Sequence, residues 1–222
     1  TLFLGGGGYT FPRFIEATYP KAEIQVVEID PEITQMVKKH LGVSANTKIR
    51  TFNEDGRWFV MNCKEKETYD FIFGDAFNDL SIPYHLTTKE FAMHLKGLLK
   101  PDGVLIANVI DSFKEGAFMP SYIRTLEKVF GKGNVHLLTL SSDYDHIGIS
   151  TFVVVASPQK LDMDDFVRKV KGKGGEMTSH VMPQDRLQEF LKDRYSVILT
   201  DDYVPVDNLI APIFEERFGY RQ

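Results

Sequence analysis

Leu2-Phe3-Leu4-Gly5-Gly6-Gly7-Gly8-Tyr9-Thr10-Phe11-Pro12 carries a short apolar run into four consecutive glycines and then into a helix start. Without Cβ atoms, the glycines permit positive φ and let another molecule come within contact distance of the backbone, at an entropic cost that a purely structural turn seldom needs. Thr10 is placed to cap the following helix and Pro12 to sit in its first turn. Free N–H groups and the positive end of the helix dipole are then expected to face whatever lies over the glycines. Strand, glycine loop and helix in that order predict a nucleotide or nucleoside site. Thr10 stands where the third glycine of G-x-G-x-x-G would allow close packing, which disfavours a nicotinamide dinucleotide, and no Gly-Lys-Ser/Thr follows to make a P-loop.

From this loop outward the pattern alternates. Short segments at 23–27, 49–52, 69–73, 104–109, 135–140 and 151–156 read as strands, and segments at 10–19, 31–41, 56–61, 88–99 and 118–130 read as helices. Pro101-Asp102-Gly103 reads as a turn. Alternation with short loops predicts an α/β fold: a Rossmann-like, doubly wound, mostly parallel seven-stranded sheet. Only a loop, 141–150, joins the last two strands, so an antiparallel strand is expected at that edge. Residues 1–157 are expected to form a nucleoside-binding catalytic domain. Residues 158–222, with charged helices near 164–171 and 184–192 flanking Gly172-Lys173-Gly174-Gly175, are expected to form a helical extension packed on it.

With 222 residues, 43% of them hydrophobic and 26% charged, the chain is long enough for a sizeable core and is neither fibrous nor disordered. A net charge of −5 argues against nucleic acid as the main partner and suits a cationic small substrate. The single cysteine, Cys63, excludes an intramolecular disulfide and a CxxC metal site, and a reducing, cytoplasmic location is expected. No signal peptide or membrane-spanning apolar run is evident, and Thr1 begins almost directly on the first strand, so upstream sequence is expected.

In open parallel sheets the ligand sits outside the carboxyl ends of the strands. Here four successive strands end in Gly5 to Gly8, in Glu28, Ile29 and Asp30, in Asp55 and Gly56, and in Asp75. Glu28, about twenty residues past the glycines, suits the two hydroxyls of a ribose. Asp55 is read either as a helix cap or as an acceptor for an adenine amino group, and Asp75 as a carboxylate facing the cleft beside Asn78 and Asp79. Tyr84 and His85, on the loop after Asp79, either line the substrate channel or cap the next helix.

The glycine loop, Val26-Val27-Glu28-Ile29-Asp30-Pro31, Asp55-Gly56, Tyr69-Asp70-Phe71-Ile72-Phe73-Gly74-Asp75 and Leu98-Leu99-Lys100-Pro101-Asp102-Gly103-Val104 resemble the spermidine synthase family of polyamine aminopropyltransferases, over roughly residues 2–156. The Pro-Asp-Gly turn is shared with many S-adenosylmethionine methyltransferases. Gly-Gly-Gly-Gly-Tyr-Thr-Phe-Pro-Arg, Gly-Asp-Ala-Phe-Asn-Asp and the tail Thr200-Asp201-Asp202-Tyr203-Val204-Pro205-Val206-Asp207-Asn208 look like the bacterial members fused to membrane segments. The resemblance implies a class I methyltransferase-like sheet, decarboxylated S-adenosylmethionine as co-substrate, a polyamine such as putrescine as acceptor, and no metal. It implies that Gly5 to Gly8, Glu28, Ile29, Asp55 and Gly56 hold the nucleoside and that Asp75 orients and deprotonates the amine. A homodimer and attachment to a membrane domain outside this chain are both compatible with it.

The sequence departs from the family pattern in two places. Gly8 stands where the family carries an aspartate that contacts the donor's ammonium, and the family's small N-terminal β-domain, which helps build the amine site, does not appear in this sequence. Asp79, Tyr84, His85, Asp201 and Asp202 are the candidate substrate-binding residues. Two other readings stay open: a methyltransferase or other enzyme using intact S-adenosylmethionine, and a non-catalytic nucleoside-binding domain.

Overall fold

The computed structural model of the chain describes residues 1–44, 46–64, 66–76, 81–172 and 177–219. Asn78 and Asp79 and most of the 172–175 glycine stretch lie outside the described residues. The first half alternates β1 (Leu2–Leu4), α1 (Thr10–Thr18), β2 (Gln25–Val27), α2 (Pro31–His40), β3 (Arg50–Phe52), α3 (Gly56–Asn62) and β4 (Tyr69–Gly74). A 3-10 turn (Tyr84–Leu86), α4 (Lys89–Leu98), β5 (Leu99–Ser112), α5 (Phe118–Phe130), β6 (Val135–Thr139) and β7 (Ile149–Ala156) follow. The chain then adds α6 (Met163–Gly172), β8 (His180–Val181), α7 (Gln184–Lys192) and α8 (Val206–Phe218).

The strands form one sheet in the order β3-β2-β1-β4-β5-β7-β6-β8, so eight strands replace the seven expected. β8 is a two-residue strand paired antiparallel to β6 at Leu138 and Thr139, too short to leave a periodic signal. β1 to β5 are mutually parallel, and the antiparallel edge follows: β7 runs against both β5 and β6, with β8 outermost. β5 starts five residues earlier than its apolar run. Tyr69 pairs with Leu99 and Phe71 with Val104, so Pro101-Asp102-Gly103 is an excursion within a continuous strand.

Strand order reverses between β1 and β4, and that places the glycine loop beside Asp75. The backbone ladder continues into both: Gly5 N donates to Val27 O at 2.9 Å, and Asp75 N donates to Leu4 O at 2.9 Å.

A large apolar cluster on one face joins Leu4, Ile72, Leu105, Val109 and Val154 to Phe91, Leu95, Ile123 and Leu126 of α4 and α5. Leu187, Leu191, Leu209, Ile210 and Ile213 of α7 and α8 belong to the same cluster, so the C-terminal segment shares the core of the sheet. A smaller cluster of Phe3, Tyr9, Ile24, Val26, Val37, Val43 and Ile49 lies under α1 and α2 on the opposite face. Asp30, Asp55 and Thr88 cap α2, α3 and α4 by accepting the N–H groups of Glu32, Trp58 and Phe91, each worth about 1 kcal/mol.

At the far end of β5, Asp111 is buried and accepts the N–H groups of Ser112 at 2.8 Å and Met119 at 2.7 Å, which docks α5 on the strand. A Cβ on Gly116 would overlap the Asp111 carboxylate. Burial outweighs these donors and pushes the carboxyl up to about 7. Because this folded value lies above the unfolded one, the stability Asp111 contributes is complete at acid pH and is lost as pH rises toward 7. Between about pH 4 and 7 that slope is at most about 1.4 kcal/mol per pH unit. Thermal unfolding across pH 5–8 should show the wild-type midpoint falling more steeply than that of Asp111→Asn, and equal slopes would contradict the assignment.

Candidate active site

Gly5 has φ +98°, and a Cβ there would stand 2.5 Å from the Asp75 carbonyl oxygen, so β1 and β4 approach this closely only because residue 5 is glycine. The loop then folds over Glu28. Oε2 of Glu28 accepts the N–H of Gly6 at 2.9 Å and of Gly7 at 3.1 Å, and Oε1 accepts the N–H of Asp30 at 3.0 Å. With Glu28 only 7% exposed, these three donors are what makes a buried carboxylate tolerable.

Thr10 does not cap α1. Tyr9 occupies that position in the left-handed conformation, with φ 55°, and no side chain caps the helix. The reason is packing: Tyr9 is buried in the smaller core, its hydroxyl 3.3 Å from both Thr34 Oγ1 and Thr51 Oγ1, which swings the chain into the helix without a polar cap. The positive end of α1 therefore meets the glycine loop without a side-chain cap, and the nearest carboxylate, Glu28, is engaged by the loop's own N–H groups.

A cavity of about 370 Å³ opens between this loop and β4, β5 and β7. Gly5 to Gly8 form one wall, Asp75 and Asn108 another, and Phe73, Ile106 and Val153 the floor. Phe73 stacks on Phe3 at 4.7 Å and meets Phe11 edge-on at 4.8 Å. Asp75 is exposed, and one of its oxygens accepts an N–H from Asn108 Nδ2 at 3.0 Å. Asn108 went unnoticed in the sequence, although a polar residue inside Val104-Leu105-Ile106-Ala107-Asn108-Val109-Ile110 is itself a signal.

Glu28 and Asp55 do not line this cavity. Glu28 is spent beneath the loop, Ile29 beside it is 67% exposed, and Asp55 lies one strand further out with Gly56 starting α3. Asp55 Oδ1 caps α3 through Trp58 N at 2.9 Å, while Oδ2 lies 2.8 Å from His85 Nε2. Burial raises the Asp55 carboxyl, but the Trp58 N–H and the His85 ring outweigh it and hold it below the usual carboxylate range.

His85 thus turns toward Asp55, and Tyr84 beside it is exposed. Asp201 is tied up: its carboxylate pairs with Arg57, and its N–H donates to Glu90 Oε2 at 2.9 Å. Asp202 and Tyr203 are exposed on the same turn. Asp207 lies in the first turn of α8, a helix hidden in the sequence by Pro205 and Pro212. Arg57, two residues past Asp55, was not singled out in the sequence either.

The chain matches the spermine/spermidine synthase domain over residues 2–161. The chain belongs to the spermine/spermidine synthase family. It is 34% identical to a probable polyamine aminopropyl transferase of Bifidobacterium longum over 254 aligned positions, covering 100% of this chain and 52% of that protein. It spans about half the length, or less, of the first curated relatives it matches, at 38%, 52% and 34% of theirs. Among solved structures, a probable spermidine synthase from Corynebacterium glutamicum superimposes with a TM-score of 0.75 at 19% identity, covering 92% of this chain and 73% of that one. A spermidine synthase in complex with the transition state analogue AdoDATO gives 0.62 at 21% identity, covering 86% and 64%. At those identities the likeness is one of fold. Among the described residues no helix is long and apolar enough to cross a membrane.

In this family member Gly5→Ala must displace β4 or the loop. Urea unfolding should show a loss of about 1–3 kcal/mol relative to wild type. Gly8→Ala, whose Cβ would meet only Thr10 Oγ1 at 3.6 Å and Leu41 Cδ1 at 3.9 Å, should cost far less. Equal losses would show that the close approach at Gly5 does not matter.

Proposed function

We propose that the chain is the nucleoside-binding and catalytic part of a polyamine aminopropyltransferase that uses decarboxylated S-adenosylmethionine. The single observation carrying this reading is the order of groups along the carboxyl edge: Asp55 after β3, Glu28 after β2, Gly5 to Gly8 after β1, and Asp75 after β4. Three strand spacings of about 4.8 Å span roughly 14 Å, the scale of an adenosine with a short chain attached. Asp55 accepts from the base, and Ile29 packs against it. Glu28 takes the ribose diol in place of glycine N–H groups, and the sulfonium end reaches the cavity of the glycine loop. The complex of a family relative with AdoDATO supports the adenosyl assignment.

In the reaction the acceptor's neutral nitrogen attacks the donor's propyl carbon next to sulfur. The carbon–sulfur bond breaks, sulfur keeps the electron pair as methylthioadenosine, and the amine proton passes to Asp75. Asn108 fixes one Asp75 oxygen, leaving the other for the ammonium of the incoming amine. Alignment and electrostatics supply the catalysis, since a sulfonium is already an activated leaving group. Tyr84, Asp202 and Asp79 would bind the far end of the polyamine. Asp201, neutralised by Arg57, holds the turn that carries Asp202 instead.

A second reading is supported by one observation. The uncapped start of α1 and the lack of a carboxylate at Gly8 favour a ligand with a carboxylate at that end, as in intact S-adenosylmethionine.

Asp75→Asn should lower methylthioadenosine release from decarboxylated donor and putrescine by about 10²-fold or more, with methylthioadenosine affinity within about threefold of wild type. Retained turnover would remove Asp75 from the chemistry. Titration calorimetry with the two donors separates the readings: tighter binding of the decarboxylated donor is expected, and a preference for the carboxylated one would favour the second.

A further inference from the structure

Arg57 sits in the first turn of α3, and its side chain is only 16% exposed. Its Nη1 donates to the His85 carbonyl at 2.7 Å and to Thr88 Oγ1 at 3.0 Å, and its Nη2 pairs with the Asp201 carboxylate. The guanidinium carbon lies 5.9 Å over the Phe91 ring. One planar fork therefore joins α3 to the 84–86 turn, to the cap of α4 and to the C-terminal turn at Thr200–Tyr203, a bridging that a lysine's point charge cannot reproduce.

His85 is gripped at both ends, its carbonyl by Arg57 and its Nε2 by Asp55 Oδ2. Asp55 in turn has one oxygen on Trp58 N and the other on His85. The Arg57 backbone N–H also faces this carboxylate, so three donors hold its plane, and its two oxygens, with four acceptor directions between them, still have one left for a ligand.

We propose that Arg57 and His85 are positioning residues for base recognition: Arg57 sets the 84–86 turn, the His85 ring orients the Asp55 carboxylate, and Asp55 accepts from the exocyclic amino group of a 6-aminopurine. This inference rests on the adenosyl reading of the site. An oriented carboxylate that can only accept rejects a 6-oxopurine, which presents an acceptor where the amino group would be. A carboxylate free to rotate loses much of that discrimination.

The test is calorimetric binding of methylthioadenosine and methylthioinosine. Wild type should prefer the amino compound, and Arg57→Met, which keeps an apolar stem over Phe91, and His85→Ala should each cut that preference about tenfold. Arg57→Met in the His85→Ala background should change it less than about twofold, because Arg57 acts through His85. His85→Gln, which keeps a side-chain N–H, should recover most of the preference with a thermal midpoint no higher than that of His85→Ala, separating orientation from stability.

Unchanged preference in folded Arg57→Met or His85→Ala overturns the inference. Full additivity of the two also overturns it, since Arg57 would then act by another route. If wild type binds methylthioadenosine and methylthioinosine equally, base recognition by Asp55 is refuted. If it binds neither, the adenosyl reading itself has failed.

Discussion

A buried carboxylate must be matched by donors, and at Glu28 those donors are backbone N–H groups of the glycine loop and of Asp30. The match binds the end of β2 to the loop that leads from its neighbour β1 into α1. The loop that meets Glu28 also runs against the Asp75 backbone, where only glycine fits. One charge and one missing side chain thus hold the ends of β1, β2 and β4 together, at the place where strand order reverses. Shortening Glu28 would leave the Gly6 and Gly7 N–H groups without their acceptor and loosen the cavity wall that these glycines form.

The parallel half of the fold was legible because its strands are short, mostly apolar or β-branched segments, each closed by a polar or glycine signal. Legibility failed where the signal was non-local. β8 forms because β6 offers it an open edge, and α8 is helical because Leu209, Ile210 and Ile213 find the core despite Pro212. Thr10 reads as a cap by residue type, yet Tyr9 takes the position, since burying an aromatic ring outweighs a cap worth about 1 kcal/mol.

The site divides along the same line. Spacing points to the residues at strand ends, and of these the structure brings Gly5 to Gly8 and Asp75 around one cavity while Glu28 and Asp55 lie outside its lining. Their second partners were not found. Asn108 and Arg57 act across separations of 33 residues to Asp75 and 144 to Asp201, and no local pattern encodes such pairings. Asp201, a candidate substrate-binding residue by sequence, is one end of such a pairing, its charge answered by the Arg57 guanidinium.

Counting what each carboxylate already holds explains why the edge is polarised. Glu28 accepts three backbone N–H groups. Asp55 accepts a backbone N–H and faces an imidazole, and Asp201 is neutralised by Arg57. Asp75 is exposed and accepts from one neutral amide. Of these four carboxylates Asp75 is the least compensated, and it lines the same cavity as the uncapped start of α1. These two opposite fields stand side by side at the cavity that Gly5 to Gly8 and Asp75 line. Acidic groups matched equally well all along the edge would hold a cation at no one strand end in preference to another.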